Sequence, residues 1–220
     1  MPANLTILKS DKFIGKRFEL ADGTITKRSE TTFTRGEASA AYAPSAKALR
    51  AIIEDLGPGE NLCLGVMRDG RDTARVVTSA SYAKLKDRKD RIARTLDHFT
   101  HPDGPGWLVI DFDDAGMPDT VAQRLDALGG VEGALRHIWP EMADAEMLVR
   151  ASSSSGVYAE GIDPKDSAGL HVYVLIRDPG NSKAALDALH RRAWAAGLGW
   201  IRPSANGKAL VRSIVDVAVG

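Results

Sequence analysis

The chain has 220 residues, 44% apolar and 26% charged, and its Lys and Arg balance its Asp and Glu to a net charge of zero. That is length enough for one large domain or two small ones with real cores, and the neutral balance leaves any nucleic-acid partner to be met by local patches. The single Cys63 excludes a disulfide framework and a cysteine-based zinc site and fits a reducing cytoplasm. No apolar run approaches the ~20 residues of a membrane span, and the N-terminus lacks the basic-then-apolar design of a signal peptide.

Residues 1–40 are mixed, with Gly15, Gly23 and Gly36 punctuating short β-leaning pieces at Thr24–Thr26 and Thr31–Thr34. Ser45 then caps a helical pattern from Ala46 to Leu56, with Leu49, Ile52, Ile53 and Leu56 at helical spacing, and Gly57-Pro58-Gly59 stops it. Asn61–Met67 and Arg75–Thr78 read as strands. A helix is expected over residues 81–99, carrying Lys84, Lys86, Arg88, Lys89, Arg91 and Arg94 against Asp87 and Asp90. Such a surface is either a solvated helix face or a phosphate-contacting one, because Lys and Arg supply the sequence-independent part of nucleic-acid affinity. His98 and His101 lack metal-ligand spacing with another His or Cys and read as surface residues.

The most informative stretch follows, Trp107-Leu-Val-Ile-Asp-Phe-Asp-Asp114. A continuous apolar run closed by Gly116 and Pro118 predicts a buried central strand. Alternation puts Leu108, Ile110 and Phe112 on one face. Asp111 and Asp113 then share the other, roughly 6.5 Å apart at ~3.3 Å rise per residue. Unpaired buried charge is costly, and hard cations such as Mg²⁺ or Mn²⁺ take carboxylate oxygens. The plainer alternative is a strand end whose Asp residues cap the following turn.

Beyond it, helices are expected at Thr120–Leu128 and Val131–Ile138, separated by Gly129-Gly130. A strand at Glu146–Ala151 runs into Ser152-Ser-Ser-Ser-Gly156, where hydroxyls and free backbone N–H groups of Ser152 and Ser154 suit phosphate oxygens as well as a plain polar loop. Gly169–Arg177 is a strong strand, Ser182 caps a helix from Lys183 to Ala196, Arg202–Lys208 is a turn region, and Ala209–Val219 is a last strand containing Asp216. The order from residue 106 onward is βαββαβ, which predicts an α+β fold with an RRM-like, ferredoxin-like catalytic sheet packed with an N-terminal α/β module. The expected division is 1–104 and 105–220 within one catalytic domain. In that topology the first strand lies between the third and fourth, so Asp111 and Asp113 would neighbour His171 and Asp216. On the last strand, Arg212, Ile214 and Asp216 would face one way and Val211, Ser213, Val215 and Val217 the other.

These residues resemble the archaeo-eukaryotic primase superfamily, in particular the primase–polymerase domains of plasmid and phage replication proteins. Three signatures carry the resemblance over roughly residues 90–220: Val109-Ile-Asp-Phe-Asp113, Gly169-Leu-His171 and Ile214-Val-Asp216. Arg94-Thr-Leu-Asp-His-Phe99 and Arg212-Ser213 are similar to neighbouring family features. The resemblance implies that Asp111, Asp113 and Asp216 bind two divalent metals, Mg²⁺ or Mn²⁺, and that His171 contacts the incoming nucleotide's phosphates. Arg212 is then placed to clamp another phosphate bidentately. The family's small residue before the His is often Ser, and here it is Gly169. Zinc is not expected. The implied partners are a single-stranded DNA template and nucleoside triphosphates, with a helicase domain fused C-terminally in a longer protein from which this chain would be an excised part.

Other readings remain open at this point. A haloacid-dehalogenase-type phosphatase would use Asp111 as nucleophile and Asp113 as acid, but it wants Thr or Val where this chain has Ala115, and it needs a doubly wound parallel sheet. A nucleotide cyclase with a palm-like fold shares the metal carboxylates. A non-catalytic RRM-like nucleic-acid-binding module would present aromatic residues on the sheet face, where this sequence offers acids. Rolling-circle initiators need a second His beside His171.

Overall fold

The computed structural model describes residues 3–30, 32–153, 155–157, 160, 169–204 and 206–217. It is a mixed α+β structure with several sheets and five α-helices among those residues. The chain divides into two compact units, Met1–Trp107 with Leu175–Gly180, and Leu108–Val174 with Asn181–Gly220.

The first unit holds strands β1 (Leu5–Ser10), β2 (Gly15–Ala21), β3 (Thr24–Glu30) and β4 (Arg35–Ala41), then helix α1 (Ala46–Asp55). Strands β5 (Glu60–Cys63), β6 (Val66–Met67) and β7 (Thr73–Val77), helix α2 (Ser79–Ala83), and strands β8 (Arg91–Ala93) and β9 (Phe99–Thr100) follow. A five-stranded sheet runs β5-β1-β4-β7-β8, antiparallel except for the parallel β7–β8 pair. Its inner face contributes Leu8, Ala38, Ala74, Val76 and Ile92 to a buried cluster with Phe33, Met67 and Phe99. Ser45 caps α1 as expected, its Oγ accepting from Ala48 N at 3.2 Å. Asn4 and Ala43 exchange two hydrogen bonds of 2.9 Å, and Trp107 Nε1 donates to the Ala43 carbonyl at 3.1 Å.

The β-leaning piece at Thr24–Thr26 falls in β3, which forms with β2 a hairpin closed by Asp22-Gly23, both at positive φ (48° and 72°), while β1 and β4 are central strands. One expectation fails here, because there is no helix over 81–99. α2 ends at Ala83, and the chain turns and re-enters the sheet as β8. An apolar stripe continuing from Tyr82 and Leu85 would need an apolar residue at 88 or 89, where Arg88 and Lys89 stand. Asp87 instead accepts from Lys89 N at 3.0 Å, a local bond that competes with helix.

The second unit carries most of strand β10 (Gly106–Phe112), helices α3 (Asp119–Ala127) and α4 (Gly130–Ile138), and strands β11 (Met147–Ala151) and β12 (Leu170–Ile176). Helix α5 (Ser182–Ala195) and strands β13 (Gly199–Pro203) and β14 (Ala209–Ser213) complete it. α5 is preceded by Asn181 at the cap position, so Ser182 opens the helix rather than capping it. The sheet order is β10-β12-β11, with β11 and β12 antiparallel. Leu108, Ile110, Phe112, Val172 and Val174 are buried on the sheet, as are Val121, Leu125, Leu135, Ile138, Leu186 and Leu189 on the helices.

The last strand is shorter than expected. β14 stops at Ser213 and pairs with β13, a strand not anticipated after Gly199. Ile214 and Val215 are both buried, at 0% and 1% exposure, so strict alternation to Val219 breaks at that point.

Candidate active site

β10 runs apolar to its end because it is covered on one face, where Leu108, Ile110 and Phe112 are at most 3% exposed. Asp111 projects from the opposite face with its side chain 31% exposed. Asp113 lies just past the strand, and its Oδ1 accepts from Ala115 N at 3.0 Å. One oxygen of that carboxylate therefore closes the following turn, which Gly116 completes at φ +70°.

The segment bearing Asp216 lies directly against β10. Asp216 N donates to the Asp111 carbonyl at 3.0 Å, although 105 residues separate the two positions along the chain, counting from 111 to 216. A small polar knot builds this approach. The Ser213 hydroxyl donates to Val215 O at 3.0 Å and accepts from Val215 N at 3.1 Å. His190 on α5 sets Nδ1 2.9 Å from Ser213 Oγ and 3.3 Å from Val215 O. Ile214 N reaches Leu198 O at 3.2 Å. These bonds turn the chain off β14 and deliver Asp216 to β10. His190 belongs to this positioning network and was not a candidate from sequence, where a lone His on a helix carries no signal.

Arg212 pairs with the residue it helps present. Its Nη1 lies 2.9 Å from Asp216 Oδ2, with the two side chains 29% and 24% exposed. On β12, His171 Nε2 stands 3.5 Å from Asp111 Oδ1, an ion pair when the imidazole is protonated. Tyr173 lies on the same strand face, its ring edge-on to His171 with centroids 6.3 Å apart. Burial pushes the Tyr173 phenol above its usual range; the Arg150 charge draws it down and the Asp111 charge pushes it further up. Arg150 is opposite His171 in the β11–β12 ladder. Arg150 is a candidate that the sequence did not single out, because the long connection between Ala151 and Leu170 leaves the β11–β12 register unspecified.

Gly169 is buried at the start of β12. Its carbonyl accepts from Ser152 N at 2.8 Å, so the Ser152 N–H expected to be free for phosphate is spent in the ladder, and a Cβ at 169 would meet Ser152 Oγ at 3.0 Å and Phe112 O at 3.4 Å. Ser152 is thus beside the carboxyl end of β10, and a side chain at 169 would crowd its hydroxyl. Ser154 lies outside the described residues.

The six basic residues Lys84, Lys86, Arg88, Lys89, Arg91 and Arg94 belong to the first unit and form no single helical face. Arg88 stacks over Tyr82 at 4.8 Å and donates to Leu85 O and Ala83 O, Arg94 lies over Phe33 at 5.6 Å, and Arg91 is 3.9 Å from Asp90. Lys84, Lys86 and Lys89 are exposed. His98, expected at the surface, is half-buried, with its ring edge-on to Tyr82 at 4.5 Å.

Asp111, His171, Arg212 and Asp216 are therefore gathered at one end of the β10–β12 pair, with Asp113 at the adjoining turn. Among the described residues, no three His, Cys, Asp or Glu side chains converge as a ready-made metal cluster. The donor chemistry nonetheless fits a hard divalent cation, because Asp111, Asp113 and Asp216 are half-buried carboxylates on two directly hydrogen-bonded backbone segments. Compared with protein-family models, with curated proteins and with solved structures, the chain finds no match in any of the three.

Proposed function

We propose that this chain is a metal-dependent, template-directed nucleotidyltransferase of the primase–polymerase type, joining nucleoside triphosphates on single-stranded DNA in plasmid or phage replication. The observation that carries the reading is the Asp216 N to Asp111 O bond of 3.0 Å, with His171 3.5 Å from the same aspartate. Three short signatures far apart in sequence thereby meet at one place, which packing alone does not require. The β10-β12-β11 order and the approach of residue 216 to the free side of β10 also support an RRM-like βαββαβ sheet with the Asp216 segment at its edge. The antiparallel β11–β12 pairing speaks against the doubly wound parallel sheet of a phosphatase.

In this reading Asp111, Asp113 and Asp216 would hold two Mg²⁺ or Mn²⁺ ions. Such ions activate an attacking oxygen and neutralise charge at the leaving one. The reaction is attack of a 3′-hydroxyl on the α-phosphate of a nucleoside triphosphate, forming a phosphodiester and releasing pyrophosphate. Phosphoryl-type transfer depends mainly on positioning and charge neutralisation. His171 donates a hydrogen bond to a phosphate oxygen, and Arg212 supplies a planar pair of donors to another. The backbone bond between 216 and 111 keeps the two acidic segments in register. Ser152 lies beside Gly169 at the end of the same strand pair. The exposed lysines of the first unit are proposed contacts for the template backbone, and a fused helicase is a proposed partner domain of a longer protein.

The assignment predicts stoichiometric Mn²⁺ binding by electron paramagnetic resonance titration. Asp111→Ala and Asp113→Ala should lose it while retaining the wild-type circular dichroism spectrum. Equal Mn²⁺ affinity in all three proteins would remove the metal site from these residues.

A further inference from the structure

Arg150 stands directly across from His171 in the antiparallel β11–β12 ladder. Directly opposed residues share a sheet face. His171 in turn lies 3.5 Å from Asp111, so Asp111, His171 and Arg150 follow one another across β10, β12 and β11. Charge changes sign along that row, from the carboxylates of Asp216 and Asp111, through the imidazole, to the guanidinium. Arg150 is half-buried, and among the described residues its guanidinium has no hydrogen-bond or ion-pair partner. A guanidinium fork at this position matches the paired oxygens of a phosphate.

We propose that Arg150 binds the distal phosphates of the nucleoside triphosphate and so makes this site select triphosphates over monophosphates. The assignment rests on the nucleotidyl-transfer reading and deepens it by naming the residue that reads the length of the phosphate chain. β10 and β11 are two strand spacings of ~4.8 Å apart. A triphosphate whose reacting α-phosphate lies at the metal site that the carboxylates would form extends past His171 toward Arg150, where its distal phosphates meet a cation. The reversed orientation would leave Arg150 facing the uncharged nucleoside. A phosphate of the DNA backbone is the competing anion, and it carries no preference between mono- and triphosphate.

The test is calorimetric titration of the 220-residue chain with a nucleoside triphosphate, the matching monophosphate and a single-stranded oligonucleotide, all in Mg²⁺. Wild type should bind the triphosphate more tightly than the monophosphate. Arg150→Ala should weaken the triphosphate by about ten- to a hundredfold, the weight of a charge-assisted hydrogen-bonded pair. Monophosphate and oligonucleotide affinities should stay unchanged, and Arg150→Lys should recover part of the loss. If Arg150→Ala leaves triphosphate affinity intact, or weakens monophosphate or oligonucleotide as much, the assignment is overturned while the nucleotidyl-transfer reading stands. A wild-type chain that binds no triphosphate at all overturns both.

Discussion

Asp216 faces two competing cations in the proposed mechanism. Its carboxylate is paired with Arg212 at 2.9 Å in a half-buried setting, and a divalent ion would compete with the guanidinium for the same oxygens. Arg212→Ala is therefore expected to tighten Mn²⁺ binding, since a positive charge leaves the site. It should also weaken triphosphate binding by about tenfold, because a charge-assisted phosphate contact is lost. Parallel titrations with Mn²⁺ and with a nucleoside triphosphate check this, and weaker Mn²⁺ binding in the variant would count against the competition. Tyr173 offers a second readout of the same field. Asp111 disfavours the phenolate, so Asp111→Asn removes a negative charge and the Tyr173 ionisation should move to lower pH. Ultraviolet difference titration of variant against wild type measures it, and an unchanged midpoint would show that Asp111 does not act on this ring.

At the scale of elements, the close approaches between strands matter most. Gly36 sits opposite Ser10 in the β1–β4 ladder, and a Cβ there would fall 1.9 Å from the Lys9 carbonyl oxygen. That oxygen is backbone in a central strand and cannot step aside. Gly36→Ala should cost at least the about 1–3 kcal/mol typical of overpacking, measurable by urea denaturation. An unchanged midpoint would mean the strands part without penalty.

The same elements show what a sequence can disclose. β10 was legible because a strand covered on one face and running into Asp-x-Asp has few other readings, and α1, α3, α4 and α5 fell close to their expected bounds because apolar spacing and Gly stops fix them. The β2–β3 hairpin carried a readable signal in Asp22-Gly23, a pair suited to two consecutive positive φ values. Residues 81–99 misled because alternating charge imitates a helix surface while the Asp87 turn, a three-residue strand and the Tyr82–His98 ring contact leave no mark on periodicity. The turn that places Asp216 was illegible for another reason. It depends on His190 and Leu198, brought to Ser213, Ile214 and Val215 only by the fold. Asp216 reached Asp111 as expected, but by a buried polar turn rather than a continuous strand.

For the molecule as a whole, the two units can be followed separately. Cys63 is the single cysteine and packs against the first unit's core. Burial pushes its thiol above the usual range, opposed by the Gly65 N–H and the Arg94 charge. The unfolded thiol ionises first as pH rises, so this group's contribution favours the folded state below an ordinary thiol pKa of about 8.5 and declines above it. Reaction with a disulfide reagent should accordingly show a midpoint above about 8.5 in the folded protein. A midpoint at or below that value would indicate an open first unit.

The central claim concerns the second unit, where three acids, a histidine and an arginine meet around the end of β10. It is tested most directly by template-directed synthesis on single-stranded DNA with nucleoside triphosphates and Mn²⁺ or Mg²⁺, with products resolved by length in the presence and absence of a primer. The account predicts metal-dependent products that follow the template and disappear in Asp111→Ala with the fold retained. Synthesis by Asp111→Ala at the wild-type rate would contradict it, as would a folded wild-type chain that binds metal and triphosphate yet makes no product under either primer condition.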